Sequence, residues 1–314
     1  MNDIFCPYCH SDKAIKKGFR LTQKGMIQLY RCKSCKRIFN DVRIPKSHYD
    51  PSVVYHAITY YHQGHTLKDT SIYINKKFKV NTGKTTVYYW IKRYIDITPI
   101  FKIRNRFFVY DQLVVSRSFK HENLSYEFMC HRCKLKAYAE KRYPNLMKYI
   151  LGFENGCPDE FFEVGERCSQ PKFKVDVNVE SRVNLACRMA DFAVKSRISN
   201  RDRHSLVENF MLKCDTATVA CELPVWYWEK SIDSGITGHI DMLQIRGGNI
   251  IILDYKPGAS SDKKAAQQLY HYAVALSFRT GVPFEKIRCA WFDEAVYYEY
   301  SPSSASVNLI KWKK

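Results

Sequence analysis

The sequence predicts a mixed α/β chain whose larger C-terminal part is a mixed sheet flanked by helices, with two smaller modules ahead of it. Three observations predict this. Two Cys-x-x-Cys pairs open the chain, at Cys6/Cys9 and Cys32/Cys35. Apolar residues then recur at helical spacing between 51 and 94. Between 216 and 300, β-branched and aromatic runs flank one long helical pattern. The expected division is a ribbon over 1–42, a helical module over 43–100 and an α/β domain over 101–314.

Two residues between cysteines let a tight turn aim both thiolates at one ion, and two such knuckles complete a closed four-sulfur site of the structural zinc type. The pairs lie about 22 residues apart, and Met26, Gln28 and Tyr30 after the Lys24-Gly25 turn alternate as a short hairpin would. A redox dithiol needs only one pair, and His10 reads as a bystander. A core this small depends on its metal to fold.

In the helical module Pro51 suits a first turn, and Val53, Val54, Ala57, Ile58 and Tyr61 follow at helical spacing up to Gly64. Thr66 is a candidate N-cap for a second helix through Ile72 and Ile74. A third helix, starting near Thr85, carries Val87, Trp90, Ile91 and Tyr94. Three short helices with a glycine-containing turn and a basic last helix suit a helix-turn-helix reader of DNA. Its candidate contacts are Lys84, Thr85, Thr86, Tyr88, Tyr89, Lys92 and Arg93; the competing reading is a small bundle that contacts protein.

Charge favours a polyanionic partner. The net charge is +19 over 314 residues, and residues 1–100 hold 18 Lys/Arg against 6 Asp/Glu. Such a field concentrates nucleic acid and speeds its association. No apolar run approaches the roughly 20 residues of a membrane span, so the expectation is a cytoplasmic protein with DNA and no membrane as partner. Twelve cysteines in that setting point to metal chemistry before disulfides.

Strands are expected over 218–228, 238–243 and 250–256, the last two joined by a Gly247-Gly248-Asn249 turn, with a further strand between 288 and 300. A helix from about 261 to 280 presents Ala265, Gln268, Leu269, Tyr272 and Leu276 on one face and stops at Gly281. Side chains two apart on a strand share a face, so Asp254 and Lys256 emerge together and Asp241 can approach from the neighbouring strand. Two carboxylates and a lysine inside a sheet are costly without a balancing partner. Oxygen ligands favour Mg2+ or Mn2+ as that partner. An ordinary ion pair at a sheet edge is the competing reading.

The N-terminal ribbon and helices resemble the corresponding part of insertion-sequence transposases, in which a CPxC…RCKxC ribbon precedes a helix-turn-helix. That resemblance covers about residues 1–97 and implies DNA binding, not catalysis. Gly238-His239-Ile240-Asp241 followed by Asp254-Tyr255-Lys256 resembles the PD-(D/E)XK nuclease superfamily, and Gln268-Leu-Tyr-His-Tyr272 resembles the QxxxY helix of its RecB-type exonucleases, the CRISPR-associated branch included. This second resemblance covers about residues 110–300 and implies a restriction-endonuclease-like core.

By that resemblance His204, Asp241, Asp254 and the Tyr255 carbonyl bind Mg2+ or Mn2+, Lys256 is the catalytic lysine, Gln268 and Tyr272 support the site or contact DNA, and Glu222 assists. DNA hydrolysis to 5′-phosphate and 3′-hydroxyl ends is implied, by exonuclease more than endonuclease action. The chain departs from the pattern in lacking the glycine that closely precedes the family histidine, so His204 also reads as a surface histidine, and Gln268 and Tyr272 as a packed helix face. Cys133 resembles the first cysteine of the family's iron–sulfur cluster, but only Cys289 follows Lys256, so a cluster there is not expected. Cys130, Cys133, Cys157 and Cys168 have poor spacing for a different site, and Cys187, Cys214 and Cys221 read as small buried apolar residues. The rival functional class is a transposase-derived DNA-binding protein with a silent nuclease fold; a protein-interaction adaptor fits the charge least.

Overall fold

Among the described residues the N-terminal ribbon has a core of only Cys6, Tyr30, Cys32 and Phe39, with Ala14 and Cys35 packed against it. The computed structural model describes residues 6, 9, 11, 13–22, 25–40, 49–107, 113–121, 124–163, 166–168, 173–182, 184–197 and 202–309. Strands β1 (Ala14–Thr22), β2 (Gly25–Cys32) and β3 (Ile38–Phe39) form an antiparallel sheet in that order. The Lys24 part of the expected hairpin turn, and His10, lie outside the described residues.

Helices α1 (Pro51–His62), α2 (Leu67–Phe78) and α3 (Lys84–Arg93) follow. Each start has a local cause. Asp50 accepts from the Ser52 amide and Pro51 opens α1; Thr66 accepts from the Asp69 amide to cap α2. Between α2 and α3 the chain turns through Lys79 in the left-handed region (φ 55°). Asn75 then clamps Thr82, accepting from its amide at 2.8 Å and donating to its carbonyl at 2.9 Å. The third helix begins at Lys84, one residue before the expected start, and buries Val87, Trp90 and Ile91.

The rest of the chain is built on β4 (Val114–His121), β5 (Leu124–His131), α4 (Arg132–Ala139), α5 (Pro144–Gly152), α6 (Asp159–Glu163), β6 (Glu166–Arg167), β7 (Phe173–Asp176), β8 (Glu180–Arg182), α7 (Leu185–Val194) and α8 (Arg203–Cys214). Then come β9 (Thr218–Glu229), β10 (Ser234–Arg246), β11 (Asn249–Tyr255), α9 (Ala265–Thr280), β12 (Ile287–Phe292), β13 (Tyr297–Tyr300) and β14 (Ser306–Leu309). Among the described residues nine strands share one mixed sheet, ordered β4-β5-β9-β10-β11-β12-β13-β8, with β6 added in parallel to the start of β10. A separate pair joins β14 to β7.

The three central strands match the expected positions. Gly247 and Gly248, at φ 57° and 75°, make the turn between β10 and β11 that only residues tolerant of positive φ adopt readily. Two expectations need correction. The segment 288–300 is two strands, because Asp293 caps a turn that reverses the chain between them by accepting from the Ala295 and Val296 amides. The helix expected from about 261 begins at Ala265, because Asp262 accepts from the Lys264 and Ala265 amides and sets the start there.

Alternation along β11 sorts its side chains onto two cores. Ile250 and Ile252 pack with α9 residues Ala265, Leu269, Tyr272 and Leu276, whereas Ile251, Leu253 and Tyr255 pack with Val207, Phe210 and Met211 of α8. That second core also takes in Val53, Val54, Tyr55 and Ile58 of α1 and Val87, Trp90 and Ile91 of α3. The Tyr55 hydroxyl donates to the Leu206 carbonyl at 2.9 Å. The three-helix segment is therefore packed against the sheet through α8. No helix among the described residues is long and apolar enough to cross a membrane.

Candidate functional site

Asp254 shares the phase of Ile250 and Ile252 on β11, so it faces the α9 side of the sheet together with the next in-phase residue, Lys256. The register pairs Met242 with Leu253, which sets Asp241 across from Asp254. It also pairs Ile240 with Leu223 and Met242 with Cys221, which sets Glu222 across from Asp241. Three carboxylates thus stand in a row on three adjacent strands. Glu222 itself has φ 49°, a left-handed conformation in mid-strand that is unusual for a side-chain-bearing residue. Strain of this kind collects at functional sites.

From the opposite face α8 adds His204 and Glu208, one helical turn apart. Ligand atoms of His204, Glu208 and Asp241 lie within 4.8 Å of one another. His204 Nδ1 is 3.6 Å from Asp241 Oδ2 with its side chain 46% exposed, while Glu208 is buried. The Tyr255 amide donates to Asp241 Oδ2 at 3.3 Å, and the Tyr255 hydroxyl donates to Glu294 at 2.8 Å. Lys256 Nζ lies 2.8 Å from Asp254 Oδ2 as an ion pair. Neither oxygen of Asp254 accepts a well-directed hydrogen bond, and Glu208 Oε1 has no partner. Buried polar atoms are nearly always satisfied, so these orphans ask for an explanation.

The electrostatics follow from that crowding. Burial, then the Asp241 charge, pushes Asp254 well above the usual carboxylate range. Burial and the neighbouring Glu222, Asp241 and Asp254 charges push Glu208 the same way. Burial and Asp241 raise Glu222 to about 8. Burial works against Asp241 too, but His204, Asp254 and Lys256 outweigh it and hold Asp241 below its ordinary value. For Lys256, burial alone would lower the ammonium pKa; Asp254 and Asp241 reverse the sign and keep it charged. Fully ionised, four acids and one lysine would carry an excess of negative charge. Without a cation, proton uptake by Asp254, Glu208 and Glu222 relieves it, and a divalent ion would relieve it in place of those protons.

Beside the carboxylates is a cavity of about 180 Å³, walled by Tyr126, Arg167, Cys168, Thr237, Gly238 and His239 and by Glu222, Asp241, Gln268 and Tyr272. The Gln268 amide donates to the Tyr272 hydroxyl at 2.7 Å. Gly238 is required by this wall: a Cβ there would lie 2.5 Å from Tyr272 Cε1 and 3.1 Å from Cys168 Sγ. Gly238→Ala should cost about 1–3 kcal/mol, the usual range for overpacking. Thermal denaturation of Gly238→Ala alone and in a Tyr272→Leu background checks this; penalties that simply add would show that the ring is not the obstacle.

The sequence-derived set is therefore largely gathered: His204, Glu222, Asp241, Asp254, Lys256, Gln268 and Tyr272 surround one locality. Two participants were missed. Glu208 was signalled by its place four residues after His204 on an otherwise apolar helix face. His239, stacked on Tyr126 at 3.6 Å and 3.8 Å from Glu222 through Nδ1, has no sequence signal beyond its place two residues before Asp241. The candidate DNA contacts lie elsewhere: on α3, Lys84, Thr85, Tyr88, Tyr89, Lys92 and Arg93 are exposed and Thr86 half-buried, opposite the Val87-Trp90-Ile91 stripe.

At the N-terminus the sulfurs of Cys6, Cys9, Cys32 and Cys35 lie within 4.8 Å of one another and could hold a metal ion such as zinc. The Cys35 amide donates to Cys32 Sγ at 3.4 Å and is the largest influence holding that thiol down at about 6, which favours a thiolate ligand. Strong chelation should unfold the ribbon sheet while leaving the central sheet intact. Residue-resolved hydrogen exchange with and without chelator tests this, and unchanged protection in β1 and β2 would refute a metal-dependent ribbon. Among the described residues Cys130, Cys133, Cys157 and Cys168 form no such cluster. Cys187, Cys214 and Cys221 are buried, as expected. No family model, curated protein or solved structure matches the chain.

Proposed function

We propose that this chain is a Mg2+- or Mn2+-dependent deoxyribonuclease of PD-(D/E)XK type. One observation carries the reading: His204 and Glu208 from α8 bring ligand atoms within 4.8 Å of those of Asp241 on β10, Glu222 and Asp254 flank Asp241 on the adjoining strands, Glu208 Oε1 has no hydrogen-bond partner, and Lys256 is paired with Asp254. Hard oxygen donors in this number fit Mg2+ or Mn2+, with His204, Glu208, Asp241 and Asp254 as the holding residues and the Tyr255 carbonyl added by the resemblance. Bound there, the ion would polarise a phosphodiester oxygen and lower the pKa of a water.

The protein groups have separable tasks. Lys256, kept charged by Asp254 and Asp241, presents an ammonium that orients the attacking water and stabilises charge growing on the phosphate. Asp241, held below its ordinary pKa, is ionised at neutral pH and ready to bind a cation. Gln268 fixes Tyr272 against Gly238 and so shapes the wall beside the scissile group. DNA is the substrate favoured by the +19 charge and by the exposed basic and aromatic face of α3. Cleavage to 5′-phosphate and 3′-hydroxyl ends, exonucleolytic before endonucleolytic, follows from the resemblance.

The test is digestion of linear and circular, single- and double-stranded DNA with Mg2+ or Mn2+, with the product ends typed. The expected result is cation-dependent cleavage that Asp241→Asn abolishes. Every substrate left intact by the wild type under all these conditions would sink the proposal.

A further inference from the structure

The cavity beside the carboxylates holds one feature that the cation and Lys256 leave unexplained. Thr237 is 1% exposed, lines the cavity, and its hydroxyl has no hydrogen-bond partner. Its backbone is fixed by β6: the Cys168 amide donates to the Thr237 carbonyl at 2.8 Å, and Arg167 is its register partner. Paired residues on adjacent strands send their side chains to the same face, and the Arg167 side chain lines the same cavity. A second wall is aromatic, where Tyr126 and His239 stack at 3.6 Å and 12°. A buried hydroxyl without a partner is destabilising unless something else bonds to it.

Size and chemistry narrow the occupant. At about 180 Å³ the cavity is smaller than the roughly 300–1,000 Å³ of sites for drug-sized ligands. That leaves room for one base but not for a base pair, so the sugar and phosphate of a bound nucleotide would lie at the cavity mouth. Guanidinium groups recognise phosphate by a planar fork of donors, aromatic walls take bases with little regard to sequence, and a threonine hydroxyl bonds a base edge or sugar. We infer that this cavity is a subsite for a single unpaired nucleotide next to the bond to be cut, with Arg167 toward its phosphate, Tyr126, backed by the stacked His239, against its base and Thr237 bonding its polar edge. The inference rests on the nuclease reading for its position but makes its own prediction about binding. A base must leave its stack to enter such a pocket, so the subsite would favour strand ends and unpaired regions over intact duplex.

Calorimetric titration of the full chain with dTMP, thymidine and inorganic phosphate in Mg2+ tests it. Saturable dTMP binding is expected, tighter than for either fragment. Thr237→Val should weaken it about 3- to 10-fold, the worth of one hydrogen bond, and Tyr126→Leu about 10-fold or more. Thr237→Val should also leave the melting temperature unchanged or raise it, because it removes an unsatisfied hydroxyl. Three results would overturn the subsite: no saturable dTMP binding, equal binding by wild type, Thr237→Val and Arg167→Gln, or a Thr237→Val protein clearly less stable than wild type. DNA cleavage without dTMP binding would remove the subsite and spare the nuclease reading. Binding of dTMP with the expected variant effects but no cleavage of any DNA would do the reverse.

Discussion

Lys256→Ala should lower DNA cleavage by at least about 10²-fold, the scale of losing one positioned proton-transfer or charge-stabilising group. A merely structural lysine could also lower activity, so the cation affinity has to be read beside the rate. Lys256 Nζ is 2.8 Å from Asp254 Oδ2, and removing it takes a positive charge away from the carboxylates. Mn2+ should therefore bind the variant at least as tightly as the wild type. The partner left behind does not become a stranded charge, because burial and Asp241 already push Asp254 toward its neutral form. Calorimetric Mn2+ titration and single-turnover cleavage on the same preparation settle the matter. Cleavage within a factor of a few of wild type would remove Lys256 from the mechanism, and loss of both properties together would assign it to holding the site in shape.

What could be seen in the sequence was whatever local chemistry dictates. Cys6, Cys9, Cys32 and Cys35 announce their cluster because two-residue spacing leaves thiolates few alternatives. The α1 and α2 starts follow from Pro51 and Thr66, and the β10–β11 turn from two glycines whose positive φ the backbone requires. Asp254 and Lys256 share a face by strand periodicity alone. What escaped notice depended on partners distant along the chain. The β4–β5 hairpin extends the sheet through Met129 opposite Cys221, a pairing that nothing in residues 114–131 announces. Packing of α1 on α8 joins Tyr55 to Leu206, 151 positions away. Glu208 is the instructive case. Val207, Phe210 and Met211 mark its helix as buried, and an acid placed among them is costly unless something compensates it. That cost was the available signal, and only the approach of Asp241 from β10 gives it meaning.

Glu208→Gln should make the cation-free protein more stable and the cation-loaded protein weaker, an opposition that a packing role does not produce. In the wild type Glu208 is buried, its Oε1 has no partner, and the nearby Glu222, Asp241 and Asp254 disfavour its charge. An amide of the same shape cannot ionise, so it removes that repulsion, and its N–H groups can donate to the neighbouring carboxylates, a gain of about 1.5–3 kcal/mol on the scale of one hydrogen bond to a charged group. The pH dependence has a definite sign. Glu222 is raised from 4.5 to about 8, and Glu208 and Asp254 move in the same direction. The folded protein thus binds more protons than the unfolded chain, so the stability from these groups is fully present below about pH 4.5 and is lost as pH rises toward about 8. A divalent ion selects the deprotonated carboxylates, so its stabilising effect should grow across that same window. Melting curves at pH 5.5 and 8, with and without Mn2+ and with no chelator so that the ribbon cysteines keep any metal, read all of this. Wild type should lose stability toward pH 8 without Mn2+ and regain it with Mn2+, while Glu208→Gln should show a shallower loss and a smaller recovery. A Mn2+ shift that is the same at both pH values, or unchanged by Glu208→Gln, would mean that the ion is not held by this carboxylate cluster.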